Sequence, residues 1–460
     1  GAFSSNSSDG SGHGVVIDNA RVTSVNGNVA VRGLRQVSGE ESGPPPGTGV
    51  LLQNGAQVTT TGTGDIEVTG ETQGSGAGLV LMGSNGDGGP SSIIDGNRHV
   101  VLRAANDRSS DAIVLNGTVR AGQVLDLRPG GVNAATGAGE DRTAEPIYLM
   151  GNPTLVPSIF TDSVLLAPAL SSGSDPGGFW ISTDEMSRLT AAAIVAGGST
   201  HAADIHVLAP LASGVPVTLQ NNAGGNIDLG APVSAPTLGL ISGGNITQAA
   251  GASITAGTLL AQSFGGNVIL NDPGNKVSAD TLGGGAAGRF EFVNSGPLKI
   301  GPVSVIAYDS NGNQPQVQAA DSMAANTLLV RTLSGELILD TAVNTTGGAD
   351  LVAATTFQNT GRGRLGGAPW RVWADTWVGE SRGGLVGSGQ LPNLYHCAYL
   401  GVCTVTVSPG DNHFIYAQQP SLTVNIGSFA RLVGQPNPSF TYTLAGLILG
   451  DTGAGIAGSM

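Results

Sequence analysis

Apolar residues recur along this chain in short alternating runs, set apart by corners rich in Gly and Asn. The clearest stretch repeats one phrase three times. It reads Gly224-Gly225-Asn226-Ile227, then Gly243-Gly244-Asn245-Ile246, then Gly265-Gly266-Asn267-Val268, in steps of 19 and 22 residues. Between the copies lie Leu238-Gly239-Leu240-Ile241 and Leu259-Leu260-Ala261. A period of roughly 20 residues, built of short strands and tight corners, marks a solenoid in which each repeat makes one coil. The expected fold is all-β, with about 17 coils if that period held throughout.

The N-terminal third repeats a related unit that reads as two strands. Gly14-Val15-Val16-Ile17 leads through Ala20-Arg21-Val22 to Asn28-Val29-Ala30-Val31. Gly49-Val50-Leu51-Leu52 leads through Ala56-Gln57-Val58 to Asp65-Ile66-Glu67-Val68, and a partial third copy starts at Ala112. Alternation places Ile66 and Val68 on one face and Asp65 and Glu67 on the other, so one face is buried and one is wet. The polar insertions at 39–47, 83–92 and 134–143 read as loops leaving the coil. Ser182-Thr183-Asp184-Glu185-Met186-Ser187-Arg188-Leu189 interrupts the strand pattern with an N-cap residue and acids in the first turn, which predicts a short helix. The coil pattern then resumes through Ile205, Ile227, Ile246, Leu259, Val268, Phe290, Val305 and Leu328 to Leu351-Val352.

Near Gly361 the character changes. Trp370, Trp373 and Trp377 cluster, followed by a Gly-rich region holding Cys397 and Cys403. From about Pro420 a strand, a Pro-rich turn and a second strand predict the start of a β-sandwich-like module, too short by Met460 to own a full core. The chain is therefore expected to be a piece of something longer.

Composition narrows the function. Charged residues are 11% and aromatic residues 4%, both low for a globular enzyme, while Gly numbers 74 without a collagen period. A net charge of −14 with lysine only at Lys276 and Lys299 excludes nucleic acid, whose phosphates need a basic stripe. No run approaches the ~18 apolar residues of a membrane helix. The polar opening is not a signal peptide. Two cysteines close together in a chain that otherwise avoids them fit an exported protein with one local disulfide, Cys397–Cys403. A metal role for them would need two further ligands, and His396 alone is insufficient.

Catalysis on a β-helix needs acids that converge, for instance two carboxylates about 5–10 Å apart. The candidates are Asp107 with Asp111, Glu140 with Asp141, and Asp184 with Glu185. None recurs at one-coil spacing, so the first two pairs read as solvated loop acids and the third as a helix first turn. Asp309-Ser310-Asn311-Gly312-Asn313 resembles half a calcium loop, but Ala320 stands where the closing acid belongs, and a turn is the better reading. His13 falls in the mobile start, and His201 and His206 have poor ligand spacing. No catalytic residue, cofactor or metal site is expected. The three tryptophans are expected to cap the open end of the coil, with stacking on glycans as the alternative.

The phrase Gly244-Asn245-Ile246-Thr247-Gln248, the run from Ala252 to Leu259 and Gly265 to Leu270 resemble the coils of filamentous-haemagglutinin-like exoproteins of Gram-negative bacteria. The segment Trp370 to Cys403 resembles the end of the helix in that family. Arg431-Leu432-Val433-Gly434-Gln435-Pro436-Asn437-Pro438-Ser439-Phe440-Thr441-Tyr442 with Gly450-Asp451-Thr452 closely resembles the opening of an MBG module, a unit of large surface adhesins. The resemblance implies a right-handed parallel β-helix, two-partner secretion through an outer-membrane transporter barrel, and a secreted cell-surface adhesin. Its partners would be host or bacterial surface molecules, glycans among them. The family's Asn-Pro-Asn secretion signatures are missing before Pro436. The expected organisation is a flexible start over 1–13, a β-helix over 14–361, a capping region with the Cys loop over 362–418 and a truncated MBG-like module over 419–460. The competing expectations are a polysaccharide-degrading β-helix and the stalk of a contact-dependent toxin.

Overall fold

The computed structural model describes residues 12–36, 47–73, 76–84, 89–106, 111–150, 178–278, 281–309, 314–403, 405–439 and 441–452. The expected flexible start up to residue 11, Asp107, and 310–313 of the calcium-like loop lie outside the described residues.

The chain winds into a parallel β-helix with three faces. On the first face Val15–Asp18, Val50–Gln53, Leu79–Leu81 and Ile113–Leu115 stack in parallel register. On the second, Arg21–Ser24, Gln57–Thr60, Ile93–Gly96, Thr118–Ala121 and Leu189–Thr190 do the same. The third carries Val29–Arg35, Ile66–Thr72, Val100–Asn106, Val124–Val132, Ala193–Gly198 and Val217–Asn221. The N-terminal unit therefore has three strands. The connecting stretch through Arg21 and Val22 is itself a strand, and polar insertions interrupt the coil that runs through Leu79, Ile94 and Val100. Strand alternation aims Val29, Ile66, Val100 and Leu125 inward as one column. Burying each such side chain contributes ~1.5–3 kcal/mol.

Later coils are tighter. Ile205–Val207, Ile227–Leu229, Ile246–Gln248 and Val268–Leu270 succeed one another on the first face, and Phe290, Leu328, Ala349, Trp370 and, through Val372, Phe414 extend the stack. Pairing thus runs past 361, through Trp370–Ala374 to His413–Tyr416. The repeated Gly-Gly-Asn phrase is the corner. Gly224 takes φ 138°, which a side chain would disfavour. A Cβ on Gly225 would lie 2.0 Å from the Ala203 carbonyl of the coil before, so that position stays bare. The asparagines form a ladder: Asn245 N donates to Asn226 Oδ1 at 2.8 Å, Asn267 N to Asn245 Oδ1 at 2.9 Å, and Arg289 N to Asn267 Oδ1 at 2.8 Å. Each corner amide is thereby satisfied by the coil beneath it.

Three features depart from plain winding. Strand Ile147–Leu149 sits out of sequence order, between Phe179–Ile181 and Ile205–Val207. The helix is a single turn, Thr183–Met186, with Ser182 as N-cap in a capping box. Its Glu185 also accepts from Leu115 N at 2.8 Å, closing the open edge of Ile113–Leu115. Val303–Tyr308 and Pro315–Ala320 form an antiparallel hairpin laid outside the helix. Val305, expected inside the coil, instead packs with Ile241 and Leu260 on the outer wall. Beyond the helix, Thr423–Ile426 pairs antiparallel with Tyr442–Ala445, an exposed ribbon where a sandwich start was expected.

Candidate functional site

The outward positions of the third face gather an ion-pair network. Register stacks Glu67 over Val101 and Asp126, and Arg32, Thr69, Arg103 and Arg128 in the neighbouring column. Arg32 donates to both oxygens of Glu67 at 3.1 and 2.7 Å. Arg103 lies 3.3 Å from Glu67 and donates to Asp141 at 2.7 Å. Arg128 donates to Asp141 at 2.8 Å and to Asp126 at 2.5 Å, and the Tyr308 hydroxyl donates to Asp126 at 2.5 Å. The Arg128 guanidinium lies 3.9 Å from the Tyr308 ring centroid. Tyr308 comes from the outer hairpin, which Gln220 fixes from below by exchanging two bonds with the Tyr308 backbone at 2.7 and 2.8 Å. Asp141 comes from the antiparallel strand Gly139–Asp141. Glu71, on the same wall, accepts from Val132 N at 2.7 Å and pairs with Arg142.

The electrostatics follow from burial against pairing. Burial alone would raise Asp141 and Glu67, but Arg128 and Arg103 hold Asp141 below the usual carboxylate range, and Arg32 and Arg103 do the same for Glu67. Asp126 is pushed up by burial, against the pull of Arg128 and Tyr308. Burial favours deprotonating Arg128, yet Asp126, Tyr308 and Asp141 outweigh it and keep the guanidinium charged. Burial lowers the His201 imidazole to about 4, so it is neutral at pH 7. A glycosidic acid must carry a proton where substrate can meet it. Here the depressed acids are ionised, and Asp126, only 1% exposed, is sealed under Tyr308. The arrangement is a clasp that pins two surface insertions to the wall.

The acid pairs expected from sequence are redistributed. Asp111 sits with Glu185 instead of standing as a loop acid. Burial and the Glu185 charge raise Asp111 to about 8. Both Glu185 oxygens are engaged, one by Leu115 N and the other by Ser182 N and Oγ at 2.9 and 2.8 Å. Glu140 and Asp141 part company, Glu140 turning to Asn133 Nδ2 at 2.9 Å. Asp184 is exposed in the helix turn, as expected. His13, expected in a mobile start, is bonded to Thr48 at 2.8 Å.

At the C-terminal end alternation splits the tryptophans. Trp370 points inward, edge-on to Phe414 at 5.1 Å. Trp377 lies across Tyr395 and Tyr416 at 5.5 and 5.7 Å, with the Arg382 guanidinium 3.8 Å over Phe414. These rings plug the last coil, and Arg382 is held there by Glu380, Asn393 and Tyr416. Trp373 faces outward, its Nε1 donating to Asp350 at 2.9 Å. It meets Tyr399 edge-on at 5.3 Å, with Arg331 5.4 Å over the Tyr399 ring. Together with Asp375 these residues line a groove of 180 Å³. Cys397 and Cys403 are disulfide-bonded, and their loop carries Tyr399. A larger cleft of 530 Å³ lies between Tyr395 and Asp451, and Asp451 accepts from Asn393 and from the Tyr395 hydroxyl, both at 2.6 Å.

Among the described residues one cluster has ligand geometry for a cation: Asp204, His206 and Asp228, with ligand atoms all within 4.8 Å of one another. His201 takes no part in this cluster; coil stacking, not the spacing along the strand, sets the neighbours of His206. Register pairs His206 with Asp228, one coil further on. Ligand atoms in a solenoid come together at one-coil spacing, here 22 residues between His206 and Asp228.

No protein-family model, curated protein or solved structure matches this chain.

Proposed function

We propose that this chain is part of a secreted cell-surface adhesin of the filamentous-haemagglutinin-like type, a non-catalytic stalk that holds binding surfaces away from the cell. One observation carries the reading. The carboxylates brought together on the outer wall are committed to arginines, Tyr308 or backbone donors, while aromatic and arginine side chains line an open groove at Trp373 and Tyr399. Ring faces and a guanidinium suit the C–H faces and hydroxyls of a sugar. Stacked coils supply reach at roughly 4.8 Å per coil. Weak sites on such a stalk would gain by multivalency when many copies line a surface. The low charge and the single disulfide suit an exported protein, and an outer-membrane transporter barrel is its proposed route.

The test is a glycan array and a cell-adherence assay with the whole chain, beside Trp373→Ala and Tyr399→Ala. Saturable binding that drops at least tenfold in both variants supports the reading. A reducing-sugar assay over a polysaccharide panel is the opposing test: sustained release of new ends, lost in Asp141→Asn, would replace the adhesin with a glycan-cleaving enzyme.

A further inference from the structure

We propose that Asp204, His206 and Asp228 form a binding site for one divalent transition-metal ion of the zinc class, linking two successive coils. Asp204 and His206 stand on one coil, and Asp228 on the next, in register with His206. His206 Nδ1 is 3.3 Å from Asp228 Oδ2. That spacing matches ligand atoms around a tetrahedral ion, which stand roughly 3.3 Å apart when each is about 2.0 Å from the metal. Asp204 offers the third ligand atom, a carboxylate oxygen within 4.8 Å of both others.

Each ligand is oriented by a second group. The Asp228 Oδ1 accepts from Thr247 Oγ1 at 2.5 Å, so Oδ2 is the atom turned to His206. The Asp204 Oδ1 accepts from Asn226 N at 2.7 Å and Nδ2 at 3.2 Å, and its other oxygen takes neither bond. The His206 ring stacks on Tyr148 at 5.2 Å, and Tyr148 stacks on Trp180 at 4.1 Å. The out-of-order strand Ile147–Leu149 supplies Tyr148, so the aromatic column that orients the imidazole exists because of that insertion. Metal sites are built this way, with outer hydrogen bonds and packing fixing the inner ligands.

The donor types choose the ion. An imidazole nitrogen with two carboxylates suits zinc and its first-row neighbours, while calcium and magnesium prefer all-oxygen shells. Three protein ligands leave a tetrahedral ion one further position. The His206 side chain keeps 20% of its surface exposed, and water would supply the remaining donor.

The experiment uses tag-free, chelator-treated whole chain, titrated with Zn²⁺ by calorimetry and with Co²⁺ by visible absorption and tryptophan fluorescence. Six histidines are present in the chain, so variants must locate the ion. The expected result is one ion per chain, a Co²⁺ absorption band, and fluorescence quenching that Trp180→Phe reduces. His206→Gln and Asp228→Asn each weaken binding at least tenfold while the far-ultraviolet circular dichroism is unchanged, and His413→Gln does not. Absence of saturable binding overturns the proposal and leaves His206 and Asp228 as an ordinary side-chain contact. Equal affinity in wild type and both ligand variants overturns it as well, by placing the ion elsewhere.

Discussion

The coils before residue 132 and those after 205 enclose the same kind of aliphatic core with different amounts of chain. Corner residues Asn28, Asp65 and His99 follow one another at 37 and 34 residues, whereas Asp204, Asn226 and Asn245 follow at 22 and 19. Asn28 and Asp65 in the first set, and Asp204 and Asn226 in the second, do the same work, each side-chain oxygen accepting the backbone N–H of the next corner. The difference lies in what the corners carry. Wide coils carry arginines and acids on the outer wall, and these pin the strand Gly139–Asp141 by charge. The narrow coils up to Leu270 carry Thr218, Gly239 and Leu260 on their wall, and the hairpin of Val303–Tyr308 and Pro315–Ala320, an excursion from a later coil, covers them. Excursions, not the faces, set the length of a coil, and ion pairs appear where excursions must be pinned.

The largest test of that contrast is Arg128→Ala in the wide region. It leaves Asp126 buried with Tyr308 alone, and the local stability should fall by ~3–5 kcal/mol. Hydrogen exchange read coil by coil should show the loss in 100–141 and 303–309, with coils after 227 unaffected, since solenoid coils interact with their neighbours only. Spread of the effect through the whole chain would remove the distinction between regions.

Asp111→Asn acts in the opposite direction. Its folded pKa of about 8 stands above the ordinary 3.8, so the ionised form is a liability that grows as pH rises from 4 towards 8. The variant should be more stable than wild type by up to about 5 kcal/mol at pH 8 and nearly equal to it near pH 4, by denaturant titration at both values. Equal stability at pH 8 would mean that Asp111 is not buried against Glu185.

Acid should also separate the regions. Glu67 and Asp141 are held below their ordinary values of 4.5 and 3.8, so their stabilisation is complete above those values and is lost as pH falls beneath them. As pH falls below about 4 the wide coils should lose more stability than the narrow ones, read as exchange rates corrected for pH. The smallest effect belongs to the narrow corner. Asn245→Ala removes the acceptor of Asn267 N and should cost ~1 kcal/mol at that corner. Asp65→Ala, its counterpart below His99, should cost about the same if the two ladders are equivalent.

Much of the fold was legible because narrow corners have uniform length, so Gly-Gly-Asn recurs nearly in phase. The wide coils were read one strand short, since a four-residue strand such as Arg21–Ser24 carries only Val22 as an apolar mark. The coil through Leu79 was lost among polar insertions. Val305 alternates like a core strand, and nothing local separates an inner wall from a hairpin that packs on the outside. The helix at Ser182 was clear because its capping box is local. The acid clusters were not legible: Asp126 and Tyr308 are 182 residues apart, and an out-and-back hairpin joins them. The three tryptophans were legible as a group, yet their division into a plug and a groove follows from the parity of Trp370 and Trp373, which the cluster conceals.

The strand Ile147–Leu149 has two partners, Phe179–Ile181 and Ile205–Val207, and both come later in the chain. A ribbon that winds upward from its beginning cannot add this piece when it is made. The strand must wait, unpaired, until chain at least thirty residues younger has been laid down beneath it. Assembly from the N-terminal end therefore contains one enforced pause, where the growing tip stays unfinished until the order of synthesis and the order of stacking coincide again.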